Sequence, residues 1–143
     1  MRQIKKRIWY RLMILVAVIA IMGIGSVCQA NEYDDNPDYQ FLYTAYQGKN
    51  YLQLSSVVVN EYNPPKYQLT GTTVHVSGDN GSVTQGQVVL RYNYDQQKAY
   101  SYDRYRHQWL EVNRGKNDMV SERGVILVNA LFHAAYGMEF YRQ

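Results

Sequence analysis

The residues able to do chemistry in this chain are few and scattered. The three histidines, His75, His107 and His133, form no His-x-x-x-His pair and have no acid beside them at a zinc-ligand spacing. The sequence also lacks a Gly-x-Ser-x-Gly elbow, a phosphate-binding glycine loop and an EF-hand calcium loop. We therefore predict no catalytic residue, no metal site and no cofactor. A small hydrolase with an undetected site is a less favoured alternative.

Tyrosine is the one residue type in excess, with 15 copies. Tyrosine forms strands and fills cores well, and it is also enriched at interfaces. The densest group of aromatic and basic residues is predicted to contact a partner, and its members are Tyr102, Arg104, Tyr105, Arg106 and Trp109. In the alternative interpretation, Tyr102 and Trp109 fill the core beneath a helix. Such a cluster could also stack on nucleic-acid bases or sugars.

The charge distribution argues against nucleic acid as the partner. The chain has 15 Lys and Arg against 12 Asp and Glu, but no acid precedes Glu32. Five of the bases lie before Leu12, so ten bases face twelve acids beyond residue 30, a net charge of −2. The basic character belongs to the N-terminus, and it gives the rest of the chain no electrostatic reason to bind nucleic acid.

Residues 1–30 have the three parts of a secretory signal peptide. A basic segment precedes an apolar run from Leu12 to Ile24, and the small residues Cys28 and Ala30 stand at positions −3 and −1 of a cut before Asn31. We expect cleavage there, followed by export to the periplasm, the cell surface or the medium. The chain left after this cut has no cysteine, so it can form neither a disulfide nor a thiolate metal site.

Two alternatives to cleavage stay open. In one, the N-terminus is an uncleaved anchor, although a spanning helix needs about 20 apolar residues and this run is shorter. In the other, Cys28 is acylated as in a lipoprotein, although the branched Val27 stands where such signals have a small residue.

Beyond the signal peptide we expect a flexible acidic tether at 31–38 and a single domain at 39–143. Runs of aromatic and β-branched residues between turn signals predict six strands. They are Tyr39–Gln47, Tyr51–Val59, Lys66–Ser77, Ser82–Tyr94, Ala99–Asp103 and Gln108–Val112. Because the turns between them are short, we expect an antiparallel meander.

The turns and irregularities of these strands can also be predicted. Gly48-Lys49-Asn50 reads as the first hairpin turn. Changes of hydrophobic phase predict a bend near Ser55-Ser56 and a bulge at Gly71. Asn60–Pro65 is expected to leave the sheet, because neither of its prolines can donate a ladder hydrogen bond.

The hydrophobic period changes to that of a helix near the C-terminus. Ser121 is expected to cap a helix that runs to about Tyr136, with Gly137 in the left-handed position beyond it. The apolar stripe consists of Leu127, Val128, Leu131, Phe132 and Ala135, and the opposite side carries Glu122, Asn129 and His133. The predicted fold class is therefore α+β, an antiparallel meander of about six strands with one C-terminal helix packed on it.

Three stretches carry a family resemblance: NYLQLSSVVVNEYNPPKYQLTG, VVLRYNYD and the ending ALFHAAYGMEFY. They resemble a group of uncharacterised small secreted bacterial proteins in which a Tyr-Tyr-Leu-Asp-like strand precedes a Ser-Val segment. More remotely, the layout is similar to the surface-adhesin protein E-like domain, whose C-terminal helix closes in an Ala-x-Tyr-Gly motif, here Ala134 to Gly137.

The resemblance covers most of 39–141, and its motifs are structural. It implies an antiparallel sheet with a C-terminal helix, a cell-surface setting and adhesion to host matrix proteins. Asn50 and Gln53 stand where the pattern favours Tyr and Asp, and the cysteines of the adhesin are absent. No functional residue is therefore carried over.

Together these features predict a non-catalytic exported binding module of the bacterial envelope or cell surface. The expected partner is a protein on the envelope or on an extracellular surface, and membrane contact is expected only through the signal peptide. The alternative from another class is a periplasmic structural or assembly factor that contacts the envelope of its own cell.

Overall fold

The computed structural model describes residues 29–115 and 118–141, and its six strands form one antiparallel sheet in chain order. The elements are α1 (Gln29–Asp34), β1 (Tyr39–Ala45), β2 (Gly48–Asn63), β3 (Lys66–Ser77), β4 (Val83–Asn93), β5 (Lys98–Asp103), β6 (Gln108–Glu111) and α2 (Met119–Tyr136). The predicted fold class, a meander with one C-terminal helix packed on it, is confirmed. Most of the predicted signal peptide lies outside the described residues, and its expected cleavage site falls within α1.

The first hairpin turn is formed by Tyr46 and Gln47, whose φ angles are 50° and 56°. Two residues with positive φ between paired strands are typical of a type I′ turn. The predicted turn at Gly48-Lys49-Asn50 is therefore wrong, because these residues open β2 and pair with β3. Gly48 fits this place because a Cβ there would lie 2.5 Å from the backbone oxygen of Val76.

The second hairpin keeps its strands paired up to the prolines. Asn63 pairs with Lys66, so the chain turns at Pro64-Pro65. The expectation that all of Asn60–Pro65 leaves the sheet is wrong, since β2 continues to Asn63. The two prolines occupy the turn itself, where no ladder hydrogen bond has to be donated.

The predicted bend near Ser55-Ser56 is confirmed by a shift in the register of β2 against β3 between Gln53 and Val58. The Ser56 hydroxyl fixes this bend. It donates to the backbone oxygen of Gln53 at 2.6 Å and accepts from the backbone N–H of Thr72 at 2.7 Å.

The irregularity predicted at Gly71 lies in the partner strand: the register of β2 against β3 shifts opposite Gly71, between Gln53 and Val58, whereas β3 itself pairs with β4 without a shift through this residue. The apparent change of phase arises because both faces of β3 are buried. Leu69 faces the core under α2, whereas Val74 and Val76 face the other side and belong to a second apolar cluster. Gly71 instead allows α2 to come close, since a Cβ there would lie 2.6 Å from Leu131 Cδ1.

The N-cap of helix α2 lies three residues earlier than predicted. Its N-cap is Asp118, whose carboxylate accepts a hydrogen bond from the Ser121 backbone N–H at 2.8 Å. The predicted cap at Ser121 is therefore wrong. The predicted end is confirmed, because Gly137 has φ 70° and its N–H donates to the His133 carbonyl at 2.7 Å. Asn129, expected on the outer side, accepts from the Tyr141 N–H at 3.1 Å.

The main core lies between the sheet and α2 and is continued by the C-terminal segment. Its buried members are Leu42, Leu52, Leu69, Leu90, Tyr92, Ala99, Val128, Ala130, Leu131, Phe132, Phe140 and Tyr141. Aromatic rings pack edge to face in its centre, for example Tyr92 with Phe140 at a centroid distance of 4.9 Å. The Tyr92 hydroxyl is satisfied by the Val128 carbonyl at 3.2 Å.

The segment expected to be a flexible tether contacts the sheet. The Tyr33 ring packs on Tyr51 at 5.7 Å, and the Tyr51 hydroxyl donates to Asp34 Oδ1 at 2.7 Å. Lys49 forms an ion pair with the same carboxylate. Asp38 accepts from both the N–H and the hydroxyl of Ser55 at 2.7 Å. The acidic composition therefore reflects docking, because two of the carboxylates find donors on β2.

This docking predicts a response to acid. Hydrogen bonds from Lys49 and Tyr51 lower the pKa of the Asp34 carboxyl, and hydrogen bonds from Ser55 lower the pKa of Asp38. A carboxyl whose pKa is lowered by folding stabilises the folded state above its unfolded pKa of about 3.9, and this stabilisation is lost as the pH falls through the lower folded value. We expect α1 to leave the sheet below about pH 4 while the α2 core stays folded.

The Tyr33 and Tyr51 ring resonances in NMR spectra recorded between pH 7 and pH 2.5 test this expectation. An Asp34→Asn/Asp38→Asn variant should show the released spectrum already at neutral pH. A Tyr33 environment that is the same throughout the titration would contradict the expected release.

Candidate functional site

The sheet face opposite α2 is covered at one end. There Tyr33 of α1 and Tyr39 pack against Tyr51, Val74 and Val76. Towards β4, β5 and β6, side chains of alternating strand positions point away from the α2 core. We call this part of the sheet the open face.

Three side chains meet at the centre of the open face and form what we call the aromatic patch: Arg91, Tyr102 and Trp109. Tyr102 and Trp109 are cross-strand partners with ring centroids 5.1 Å apart. The Arg91 guanidinium lies 4.0 Å from the centroid of the Trp109 ring, and its Nε donates to Gln68 at 2.9 Å. Such a cation–π contact contributes about 0.5–1 kcal/mol at an exposed site. The Trp109 ring is therefore held in place before any ligand arrives.

Strand parity explains why the aromatic patch is outside the core. Ala99 on β5 is fully buried in the main core, so Tyr100 and Tyr102 point to the opposite face. Tyr102 and Trp109 are only partly buried and belong to neither apolar cluster. The alternative in which these two residues fill the core beneath the helix is thus wrong.

The turn between β5 and β6, which we call the hairpin tip, holds Arg104, Tyr105 and Arg106. Asp103 shapes it, since its Oδ1 accepts from the backbone N–H groups of Tyr105 at 2.9 Å and Arg106 at 3.1 Å. Arg106 lies 3.9 Å from Asp103 Oδ2 but keeps 71% of its side chain exposed. Tyr105 is 99% exposed. Arg104 reaches back to hydrogen-bond Gln87 on β4.

The five predicted site residues are therefore divided by the structure. Tyr102 and Trp109 touch each other, Arg104 hydrogen-bonds Gln87 on β4, and Tyr105 and Arg106 project into solvent from the tip. Sequence reasoning missed Arg91, which completes the aromatic patch. The sequence does indicate this position, because Arg91 lies between the core residues Leu90 and Tyr92, so strand alternation places its side chain on the other face.

A shallow cavity of about 370 Å³, lined by charged, amide and tyrosine residues, lies next to the aromatic patch. We call it the polar hollow. It is lined by Glu61, Lys66, Tyr67, Arg91, Tyr92, Asn93, Gln96 and Tyr100. The lining comes from β2, β3, β4, the β4–β5 turn and β5, so only the folded sheet brings these residues together.

The open face and the hairpin tip are more basic than the chain as a whole. Five cations lie there against three anions: Lys66, Arg91, Lys98, Arg104 and Arg106 against Glu61, Asp103 and Glu111. One ion pair on this face joins Lys98 and Glu111 at 3.7 Å. Because the chain beyond residue 30 carries a net charge of −2, this local excess gives the surface a preference for acidic groups.

The three histidines lie in separate places. The nearest polar partners of their Nδ1 atoms are Asn50 at 3.2 Å from His75, Tyr102 at 3.5 Å from His107, and Glu139 at 3.7 Å from His133. Within residues 29–115 and 118–141, no three His, Cys, Asp or Glu side chains are grouped so that they could hold a metal ion. In the same part of the chain, no helix is long and apolar enough to span a bilayer.

No protein-family model, curated protein or solved structure matches this chain. What supports a function is therefore the geometry of the open face and the hairpin tip, together with the sequence of the N-terminus.

Proposed function

We propose that this chain is a non-catalytic exported binding module of the bacterial envelope or cell surface, which contacts a protein partner through the aromatic patch and the hairpin tip. The observation that carries the proposal is the position of Trp109, which is held between Tyr102 and Arg91 on the open face. Trp, Tyr and Arg are the residue types that dominate binding hot spots.

The geometry favours binding in two ways. The contacts of Trp109 fix its ring in the free protein, which reduces the conformational entropy lost when a partner arrives. Exposed cations at the tip attract acidic groups over a distance and raise the rate of association. The aromatic patch thus supplies contact area, while Arg104 and Arg106 supply steering.

The export part of the proposal rests on residues 1–30, and cell fractionation combined with protease treatment of intact cells tests it. Surface exposure supports an adhesin-like module. A form protected by the outer envelope supports the alternative, a periplasmic structural or assembly factor. Pull-down with the exported chain then identifies the protein partner.

An Arg104→Ala/Arg106→Ala variant tests the binding surface. We expect the free energy of unfolding to change by less than about 1 kcal/mol, because solvated turn charges contribute little. The affinity for the protein captured in the pull-down should fall about fivefold or more, which corresponds to about 1 kcal/mol. Most of the loss should appear in the association rate, with a weaker dependence on salt. Surface plasmon resonance at two ionic strengths measures both.

The matched control is Arg123→Ala, which removes a cation from α2, on the other side of the sheet. It should leave binding unchanged. Equal binding by the tip variant and the native protein would remove the hairpin tip from the interface, and loss of folding would show that the two arginines are structural.

A further inference from the structure

The polar hollow is a second feature of the open face, separate from the hairpin tip. Its volume of about 370 Å³ is near the lower end of the range for small-molecule sites, about 300–1,000 Å³, so it has room for one ring-sized group. It lies at the edge of the aromatic patch, and Arg91 belongs to both.

The side chains of the hollow are mostly planar and polar. Glu61 offers a carboxylate, Arg91 a guanidinium, and Asn93 and Gln96 primary amides. Each of these groups has two adjacent hydrogen-bonding atoms and can engage two neighbouring hydroxyls of one ligand. The Tyr100 ring adds an apolar surface against which C–H groups can pack.

The charged side chains that line the hollow do not form salt bridges with one another. In the described part of the chain, Glu61 and Lys66 take part in none of the salt bridges, although both line the same cavity and both are exposed. Arg91 uses its Nε for Gln68, and its guanidinium plane rests on Trp109. The lining itself carries two cations and one carboxylate, and Asp95 of the adjoining β4–β5 turn acts on Tyr67 from outside it. Lys66 and Arg91 can therefore both interact with one ligand carboxylate, a contact that a neutral ligand does not offer.

We propose that the polar hollow binds a pyranose ring that carries a carboxylate, as one unit of an acidic glycan. Lys66 and Arg91 bind the carboxylate. Glu61, Asn93 and Gln96 bind the ring hydroxyls, and Tyr100 packs against the C–H face of the sugar. This assignment gives a role to the carboxylate, the two cations, the amides and a tyrosine ring of the lining. It is independent of the proposal that the hairpin tip binds a protein.

The shape of the open face leaves space for more than one sugar. Neighbouring strands lie about 4.8 Å apart, so the surface from β2 to β6 extends about 19 Å across the strands. A second ring beyond the hollow would meet the aromatic patch, where Tyr102 and Trp109 offer further apolar surface. An oligosaccharide is therefore expected to bind more tightly than a single sugar.

Isothermal titration calorimetry of the full-length protein with three tetramers tests the proposal. The probes are tetragalacturonate, which has sugar rings and carboxylates, galactotetraose, which has rings alone, and tetraglutamate, which has carboxylates alone. Tetragalacturonate should bind at least tenfold more tightly than either of the other two. Amide NMR shifts caused by it should centre on Glu61, Lys66 and Gln96.

Substitutions separate the hollow from its surroundings. Lys66→Gln and Gln96→Ala should each weaken tetragalacturonate binding at least fivefold. Arg123→Ala, which removes a cation from α2 on the other side of the sheet, should leave it unchanged. Three results would overturn the proposal: equal binding of tetraglutamate, which identifies a surface for acidic peptides; equal binding of galactotetraose, which removes the role of the cations; or no binding of tetragalacturonate.

Discussion

Replacement of Leu131 by aspartate is expected to destabilise the fold by about 4 kcal/mol or more. Leu131 is fully buried between α2 and the sheet, and its Cδ1 lies where a side chain at Gly71 would be. The substitution removes apolar contacts and places a carboxylate where no described cation is at hand to pair with it. Urea denaturation followed by circular dichroism measures the loss as a shift in midpoint at constant slope.

The matched control lies two residues further along the same helix. His133 keeps 53% of its side chain exposed, and its Nδ1 lies 3.7 Å from Glu139 Oε1, so His133→Ala should cost less than about 0.5 kcal/mol. Similar losses for the two variants would mean that α2 faces the sheet with a different side.

Phe140→Ala is expected to cost about 3–5 kcal/mol. The Phe140 ring is fully buried although it lies four residues beyond Tyr136, the last residue of α2. Its centroid lies 4.9 Å from Tyr92, 5.2 Å from Phe132 and 4.9 Å from Tyr141. Removing the ring leaves a cavity among aromatic side chains that can close only in part.

Met138→Ala is the control for this segment, because Met138 is 50% exposed and its truncation should change stability little. Thermal melting followed by near-ultraviolet circular dichroism reports on both variants. A loss below about 1 kcal/mol for Phe140→Ala would show that the segment contributes little to the core.

The helix was the element most accessible from the sequence. The spacing of Val128, Leu131 and Phe132 assigned its buried side correctly, and Gly137 marked its end. Its start was misplaced because Asp118 and Ser121 are equally good caps, and only the geometry shows which one accepts the hydrogen bond. Phe140 was missed because it follows the helix and continues no period.

The sheet was predictable in its strands and less so in its details. Alternation located the strands, but it could not show that both faces of β3 are buried, so the switch from Leu69 to Val74 read as a bulge. The docking of α1 was hidden for a related reason. An acidic segment with a proline looks solvated until the donors Lys49 and Tyr51 are placed beside Asp34.

The sequence predicted only those contacts of the candidate site whose residues lie close together along the chain. Tyr102 and Trp109 belong to one hairpin, and their proximity follows from the turn between them. Arg91 and the lining of the polar hollow come from three successive hairpins, and their positions depend on the register of β3, β4 and β5 together. That register is a property of the whole sheet.

The packing of α2 has a consequence for the order in which the chain can acquire its structure. Each strand pairs with its neighbour in sequence, so hairpins can form one after another as the polypeptide emerges with its N-terminus first. The helix, however, is made last and packs on β1, β2 and β3, which are made first. Leu42, Leu52 and Leu69 therefore lack their helix contacts until α2 has emerged. A nascent chain that stalls before Phe140 presents a continuous apolar sheet face, the kind of surface that chaperones bind and that aggregates in their absence.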